Sequence, residues 1–171
     1  MSQRLSRVNW PQSVLASAVT GLLLLVGGCS WVGSWFDDDA PTKSTDTSVF
    51  DIQPGQCFNP PADVKAEIAT LAQIGCDQPH VQEAYLVATY EAAAGSSDTY
   101  PGSSALTTFA DGTCAQAYGS YVGVSYVDST LWFTYLLPTA RSWEQNSDRR
   151  VICFVTTTGE KLTASVAGSK R

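Results

Sequence analysis

The stretch Val151-Ile152-Cys153-Phe154-Val155-Thr156-Thr157, "VICFVTT", opens with five apolar residues in a row. A strand with one wet face alternates apolar and polar side chains, whereas a strand covered on both faces does not. This run is therefore read as a central, buried strand. Upstream, Leu106, Phe109/Ala110, Cys114, Ala117/Tyr118 and Tyr121 recur at the i, i+3/i+4, i+7 spacing of an amphipathic helix over 105–121. Ser103 or Ser104 is the expected N-cap. Gly112 weakens the helix by ~1 kcal/mol relative to Ala, and Gly119 or Gly123 is placed to stop it. Cys114 then lies on the buried helix face and Cys153 in the central strand. A helix packed on a sheet brings such positions within bridging reach.

The other segments fit around this pair. "VFDIQPGQCF" (49–58) alternates and then turns at Pro54-Gly55, which predicts a strand and a turn. In "NPPADVKAEIATLAQIGC" (59–76), Val64, Ile68 and Leu71 suggest one helical face. "VQEAYLVATYE" (81–91) is β-branched and aromatic, a strand with Val81, Glu83, Tyr85, Val87 and Thr89 on one face and Ala84, Leu86 and Ala88 on the other. "STLWFTYLLPT" (129–139) reads as a strand running to Pro138. "RSWEQNSDRR" (141–150) reads as a polar turn or loop, and "LTASV" (162–166) as a last short strand. The order is two strands, a helix and three strands. That order predicts an α+β domain, a largely antiparallel sheet with one main helix packed on it.

The chain's first 28 residues read differently. Arg4 and Arg7 precede an apolar run, Val14–Val26, too short to span a bilayer at ~20 residues but suited to the h-region of a signal peptide. "LVGGC" (25–29) resembles a bacterial lipobox, in which an aliphatic residue and two small residues precede a cysteine that takes diacylglycerol. The expectation is a lipoprotein signal peptide over 1–28, lipidation of Cys29 with palmitate-type chains, and a flexible tether over 29–47. Two or more acyl chains give stable anchoring. Trp31, Trp35 and Phe36 follow the anchor and suit a headgroup zone equally with free solvent. The folded domain is expected over 48–171.

Five cysteines are present. With Cys29 lipidated, Cys57, Cys76, Cys114 and Cys153 remain. An even set in an exported domain reads as two disulfides. Cys57 ends the first strand and Cys76 stands before the next, so Cys57–Cys76 with Cys114–Cys153 is favoured, the other two pairings remaining open. Loss of Arg4 and Arg7 with the leader leaves 8 basic against 16 acidic side chains, a formal net charge of −8. Such a chain offers no basic surface to phosphates, which argues against nucleic acid as a partner.

Catalytic equipment is sparse. His80 is the only histidine, four residues after Cys76. Zinc asks for about four ligands, and a Cys–His couple needs a free thiolate. Pro79 disfavours a helix that would bring the two together. No Gly-x-Ser-x-Gly elbow occurs. Glu83, Glu91, Asp128 and Glu144 show no spacing that singles out a catalytic pair. His80 is therefore read as a packed or hydrogen-bonded ring beside a strand entry. No cofactor or metal is expected. Tyr100, Trp132 and Trp143 are candidates for a binding platform, with core packing as the alternative for the tryptophans.

Five segments, taken in order, resemble the actinobacterial septum formation domain family. They are "VFDIQPGQCF", the Cys-x-x-Pro-His-x-x-Glu run in "CDQPHVQEAYLV", "YPGSSALTTFADGTCAQAYGSYVG", "PTARSWEQNSDRRVICFV" and "GEKLTASVAGSKR". The likeness covers residues 48–171. It implies an extracytoplasmic, membrane-associated domain connected with cell division, and it brings no catalytic residues. The expected protein is a non-catalytic lipoprotein on the outer face of the cell membrane that binds envelope or division proteins. A module for a small ligand or cell-wall glycan is the alternative, and an envelope hydrolase the third reading.

Overall fold

The computed structural model describes residues 43–61, 67–92 and 98–171. The leader, Cys29, the aromatics after it and Val64 lie outside the described residues. The rest forms an α+β domain with six strands: β1 Thr45–Ser48, β2 Cys57–Asn59, β3 Thr70–Ile74, β4 Gln82–Thr89, β5 Trp132–Leu136 and β6 Arg150–Thr156. Two helices, α1 Ser103–Val122 and α2 Ala140–Asn146, complete it. The sheet order is β1-β3-β2-β4-β6-β5, with every neighbouring pair antiparallel.

β6 is an interior strand, as its sequence predicts. Val151 through Val155 are all buried. Strand alternation divides them between two cores. Val151, Cys153 and Val155 join α1, while Ile152 and Phe154 meet Ile52, Phe58, Leu71 and Ala84 on the opposite face. α1 covers the first face with Leu106, Ala110, Cys114, Tyr118 and Val122, one stripe at four-residue spacing with no exposed surface.

The helix begins earlier than the expected serine cap. Gly102 is the N-cap, at φ 90° and with no side-chain cap, and Ser103 and Ser104 lie inside the first turn. Gly123 ends α1 in the left-handed conformation, its N–H bonded to the Gly119 carbonyl. A side chain there would also crowd the C-terminal tail, since a Cβ would stand 3.2 Å from Lys170 Cγ.

Several expectations are corrected. The first strand is not at 49–53: Val49–Asp51 is a single 3-10 turn capped by the Ser48 hydroxyl. The strand lies just upstream, at β1, so the expected tether boundary at 47 falls inside the sheet. β1 is polar, "TDTS", and pairs with β3 through its backbone and a Thr47–Gln73 side-chain bond of 2.7 Å. The segment around Ile68 and Leu71 gives strand β3 rather than a helical face.

On β4 the predicted alternation holds only to Tyr85. A bulge between Ala84 and Leu86 reverses the phase, so Leu86 packs toward α1 and Val87 toward the opposite core. Residues 141–146 are helix α2, not loop. Its start is a capping box in which Thr139 Oγ1 accepts from Ser142 N–H and Ser142 Oγ accepts from Thr139 N–H, both at 3.0 Å. "LTASV" forms no strand. It contributes one bridge, Leu162 to His80, and then runs on as a C-terminal strap.

Candidate functional site

The cysteines pair as Cys57–Cys76 and Cys114–Cys153. The first ties β2 to the turn before β4. The second ties α1 to β6 inside the core, where both residues have no exposure. No thiolate is left to act as nucleophile or ligand at these positions. Cys57, Cys76 and Glu83 do bring donor atoms within 4.8 Å of one another, yet both sulfurs are bonded to each other.

The Cys76–Glu83 segment is built into the fold residue by residue. The Pro79 carbonyl accepts from the Asn59 amide at 3.3 Å. His80 is fully buried and exchanges two backbone hydrogen bonds with Leu162, 2.9 and 2.8 Å. Its Nδ1 donates to the Gln78 carbonyl at 2.8 Å, since a carbonyl only accepts. Nε2 has no partner among the described residues. The packed-ring reading of His80 agrees with this geometry.

Glu83 carries more structure than its sequence context suggests. It has no exposed surface. Oε1 accepts from the Tyr121 hydroxyl at 2.5 Å and the Ser165 hydroxyl at 2.6 Å, and Oε2 from the Val166 amide at 2.8 Å. A buried carboxylate is tolerated when its lone pairs are taken by donors. These three donors come from α1 and from the strap, so Glu83 locks both to β4. Burial pushes the Tyr121 hydroxyl well above its ordinary pKa, and the adjacent Glu83 adds to that. Glu91, Asp128 and Glu144 are all exposed.

The three candidate platform residues do not form one site. Trp143 is 2% exposed. Its ring sits between Tyr90, Tyr100 and the Arg149 guanidinium, 3.6 Å above it, and its indole N–H donates to the Asp98 carbonyl at 2.8 Å. It is a core tryptophan, and Tyr100 is one of its packing partners. Trp132 stands apart on edge strand β5, 51% exposed, with Tyr126 beside it.

A cleft of about 460 Å³ opens on the sheet face away from α1. Its apolar lining comes from Val49 and Phe50 of the 3-10 turn, Ile68 before β3, Leu136 on β5 and Ile152 on β6. α2 forms one wall. The polar groups of that wall are chained together. Glu67 Oε1 accepts from Thr139 Oγ1 at 2.6 Å, and Ser142 Oγ donates to Asp148 Oδ2 at 3.0 Å. Asp148 Oδ1 accepts from the Arg150 amide at 3.0 Å. The Arg150 guanidinium donates to the Phe50 carbonyl and, at 2.7 Å, to the Ile52 carbonyl, so it holds the 3-10 turn against β6. None of Glu67, Thr139, Arg141 or Arg150 carries a sequence signal for such a role. They are far apart in the chain, and only the antiparallel register assembles them.

A family model described as septum formation matches residues 54–170, the span from the Pro-Gly turn through the strap. The chain belongs to the septum formation family. No curated protein and no solved structure matches it. In this septum formation domain, the Cys-x-x-Pro-His-x-x-Glu run is a set of fold-holding contacts. Cys76 is half of a disulfide, Pro79 offers a carbonyl, His80 bridges to the tail and Glu83 anchors it.

Proposed function

We propose that this septum formation domain is the outer-face part of an actinobacterial lipoprotein, anchored through Cys29, that serves cell division by binding rather than by catalysis. The leader occupies 1–28 and the tether begins at Cys29, running to the sheet at Thr45. The observation that carries the reading is the family match over 54–170 joined to the lipobox ahead of it. The two disulfides support an oxidising compartment. The non-catalytic part is supported by the engagement of His80, Glu83 and the four domain cysteines in contacts that hold the fold. Envelope or division proteins are the proposed partners, and the acidic chain disfavours nucleic acid.

Imaging of a fluorescent fusion in dividing cells tests the septal role. Enrichment at division sites, with aberrant septa on deletion, is expected. Even distribution with normal septa removes it. Intact mass of membrane-extracted protein tests the anchor: a diacylglyceryl and acyl increment on Cys29 is expected, and a Cys29→Ala chain equally bound to membranes overturns it.

A further inference from the structure

We propose that the cleft beside α2 binds an amphiphile with one aliphatic chain and an anionic head, a fatty-acid-like ligand. The inference deepens the binding reading above and rests on it. Three observations lead there.

The first is shape and lining. At about 460 Å³ the cleft falls in the range of small-ligand sites, ~300–1,000 Å³. Apart from Phe50, the apolar residues lining it, among them Val49, Ile68, Leu136 and Ile152, are aliphatic, which suits an aliphatic body.

The second is which polar groups remain free. Thr139, Ser142, Asp148 and Arg150 bond to one another or to backbone groups, and the exposed Glu67 accepts from Thr139 through one of its two oxygens. Among the described lining residues, the polar side chains with no hydrogen bond or ion pair are Arg141 and Asn146, both exposed on α2. A guanidinium and an amide at the mouth of an apolar cleft select an anionic acceptor.

The third is charge context. The chain carries 16 acidic and 10 basic side chains, and Arg149 is already paired with Asp98 at 2.8 Å. The cleft lining carries Glu67 and Asp148 as well as Arg141 and Arg150. The two carboxylates accept from hydroxyl and amide donors and Arg150 holds backbone carbonyls, so Arg141 is the charged group of the described lining left without a partner. A peptide fits less well. It would bring amide groups against the apolar floor of Val49, Ile68, Leu136 and Ile152, and buried unpaired amides cost ~1–3 kcal/mol each.

The test uses the full chain in its own membranes. A diazirine-bearing decanoate is photolysed in the presence of membrane-bound protein, and labelled peptides are mapped by mass spectrometry. Labelling is expected on peptides that contain Phe50 or Leu136, with competition by decanoate but not by decyltrimethylammonium or a leucine-ended tripeptide. Arg141→Glu, on an exposed side chain, should cut labelling by about tenfold or more, the scale of one charge-assisted hydrogen bond. Leu136→Trp should block it by filling the cleft, with circular dichroism showing whether that chain is folded.

Equal competition by decyltrimethylammonium, or labelling untouched by Arg141→Glu, overturns the anionic head. Competition by the tripeptide assigns the cleft to a peptide terminus and overturns the proposal. Labelling absent from these peptides, or spread over the surface, overturns the site. A chain that labels as expected yet is not enriched at septa keeps the site and loses the septal reading; the opposite pair of results separates them the other way.

Discussion

The two faces of the sheet are built by different means. The α1 face is closed by a 20-residue helix, a buried disulfide and a C-terminal strap held by a buried carboxylate. It also gathers Tyr85, Tyr118, Tyr121, Phe133 and Tyr135 into one layer. The opposite face holds a smaller core around Phe58 and Phe154, covered in part by a single 3-10 turn that Arg150 pins through its carbonyls. One face is cross-linked and filled. The other keeps a cleft. The contrast suggests a division of labour in which stability resides on the first face and leaves the second free to bind.

The two disulfides offer the strongest way to break that contrast. Chain-entropy reasoning gives about 4 kcal/mol for a loop the size of Cys114–Cys153 and about 3 kcal/mol for that of Cys57–Cys76; the sequence separations are 39 and 19. The Cys114→Ala/Cys153→Ala chain additionally opens a void between α1 and β6. It should lose more melting temperature than Cys57→Ala/Cys76→Ala in paired thermal scans. Cys57 pairs with Glu83 and lies on the same side of the sheet, so equal losses would show that the buried crosslink under α1 adds nothing beyond what the crosslink at that face's margin gives.

Glu83 comes next. Glu83→Ala leaves the Tyr121 hydroxyl, the Ser165 hydroxyl and the Val166 amide without their acceptor, a cost of about 3 kcal/mol. The strap should loosen first, so amide exchange at 162–168 should rise before exchange in β6. If exchange rises uniformly instead, the strap is not a separate unit.

Arg150 tests the other face. Arg150→Met keeps the aliphatic stem and removes the donors to the 3-10 turn, a loss of about 2 kcal/mol. Exchange at the Val49 amide, which donates to Ala69 at 3.0 Å, should quicken while the α1 layer stays protected. Unchanged exchange at Val49 would mean that the turn needs no guanidinium.

How much of this could be read from the chain follows the same division. α1 and β6 were legible because their burial leaves a period: a four-residue stripe and an unbroken apolar run. The two cysteines on those elements followed, since a buried helix face and a central strand constrain each other. On the other face the signals fail for identifiable reasons. β1 has no apolar residue, so only backbone pairing defines it. Val64, Ile68 and Leu71 are spaced by four and three, which imitates a helix, although Leu71 lies in strand β3, where a second buried residue, Ile74, faces the opposite side. The bulge at Tyr85 inverts a phase that alternation assumes constant. α2 is short and polar, and its capping box uses Ser142 where Glu or Gln is the usual signal. The cleft depends on all of these at once, so Arg141 and Arg150 could not be singled out from sequence.

The smallest effect at neutral pH, and the most selective for one face, concerns tyrosine. Tyr85, Tyr118, Tyr121 and Tyr135 all lie in the α1 layer, and burial raises each hydroxyl above its ordinary pKa of 10. Tyr85 also donates to the Cys114 carbonyl at 2.8 Å, a bond its ionised form cannot make. The unfolded chain releases these protons near pH 10, and the folded chain holds them to higher pH. Their contribution is therefore complete below pH 10 and is lost as pH rises from there toward the raised folded values. Stability should be flat from pH 7 to 9 and then fall, with part of the tyrosinate absorbance appearing only as the fold is lost. Tyr85→Phe should flatten the alkaline slope while leaving the cleft's labelling unchanged. Complete ionisation near pH 10 with the fold intact would show that the α1 layer is open to solvent, and the contrast between the faces would fail.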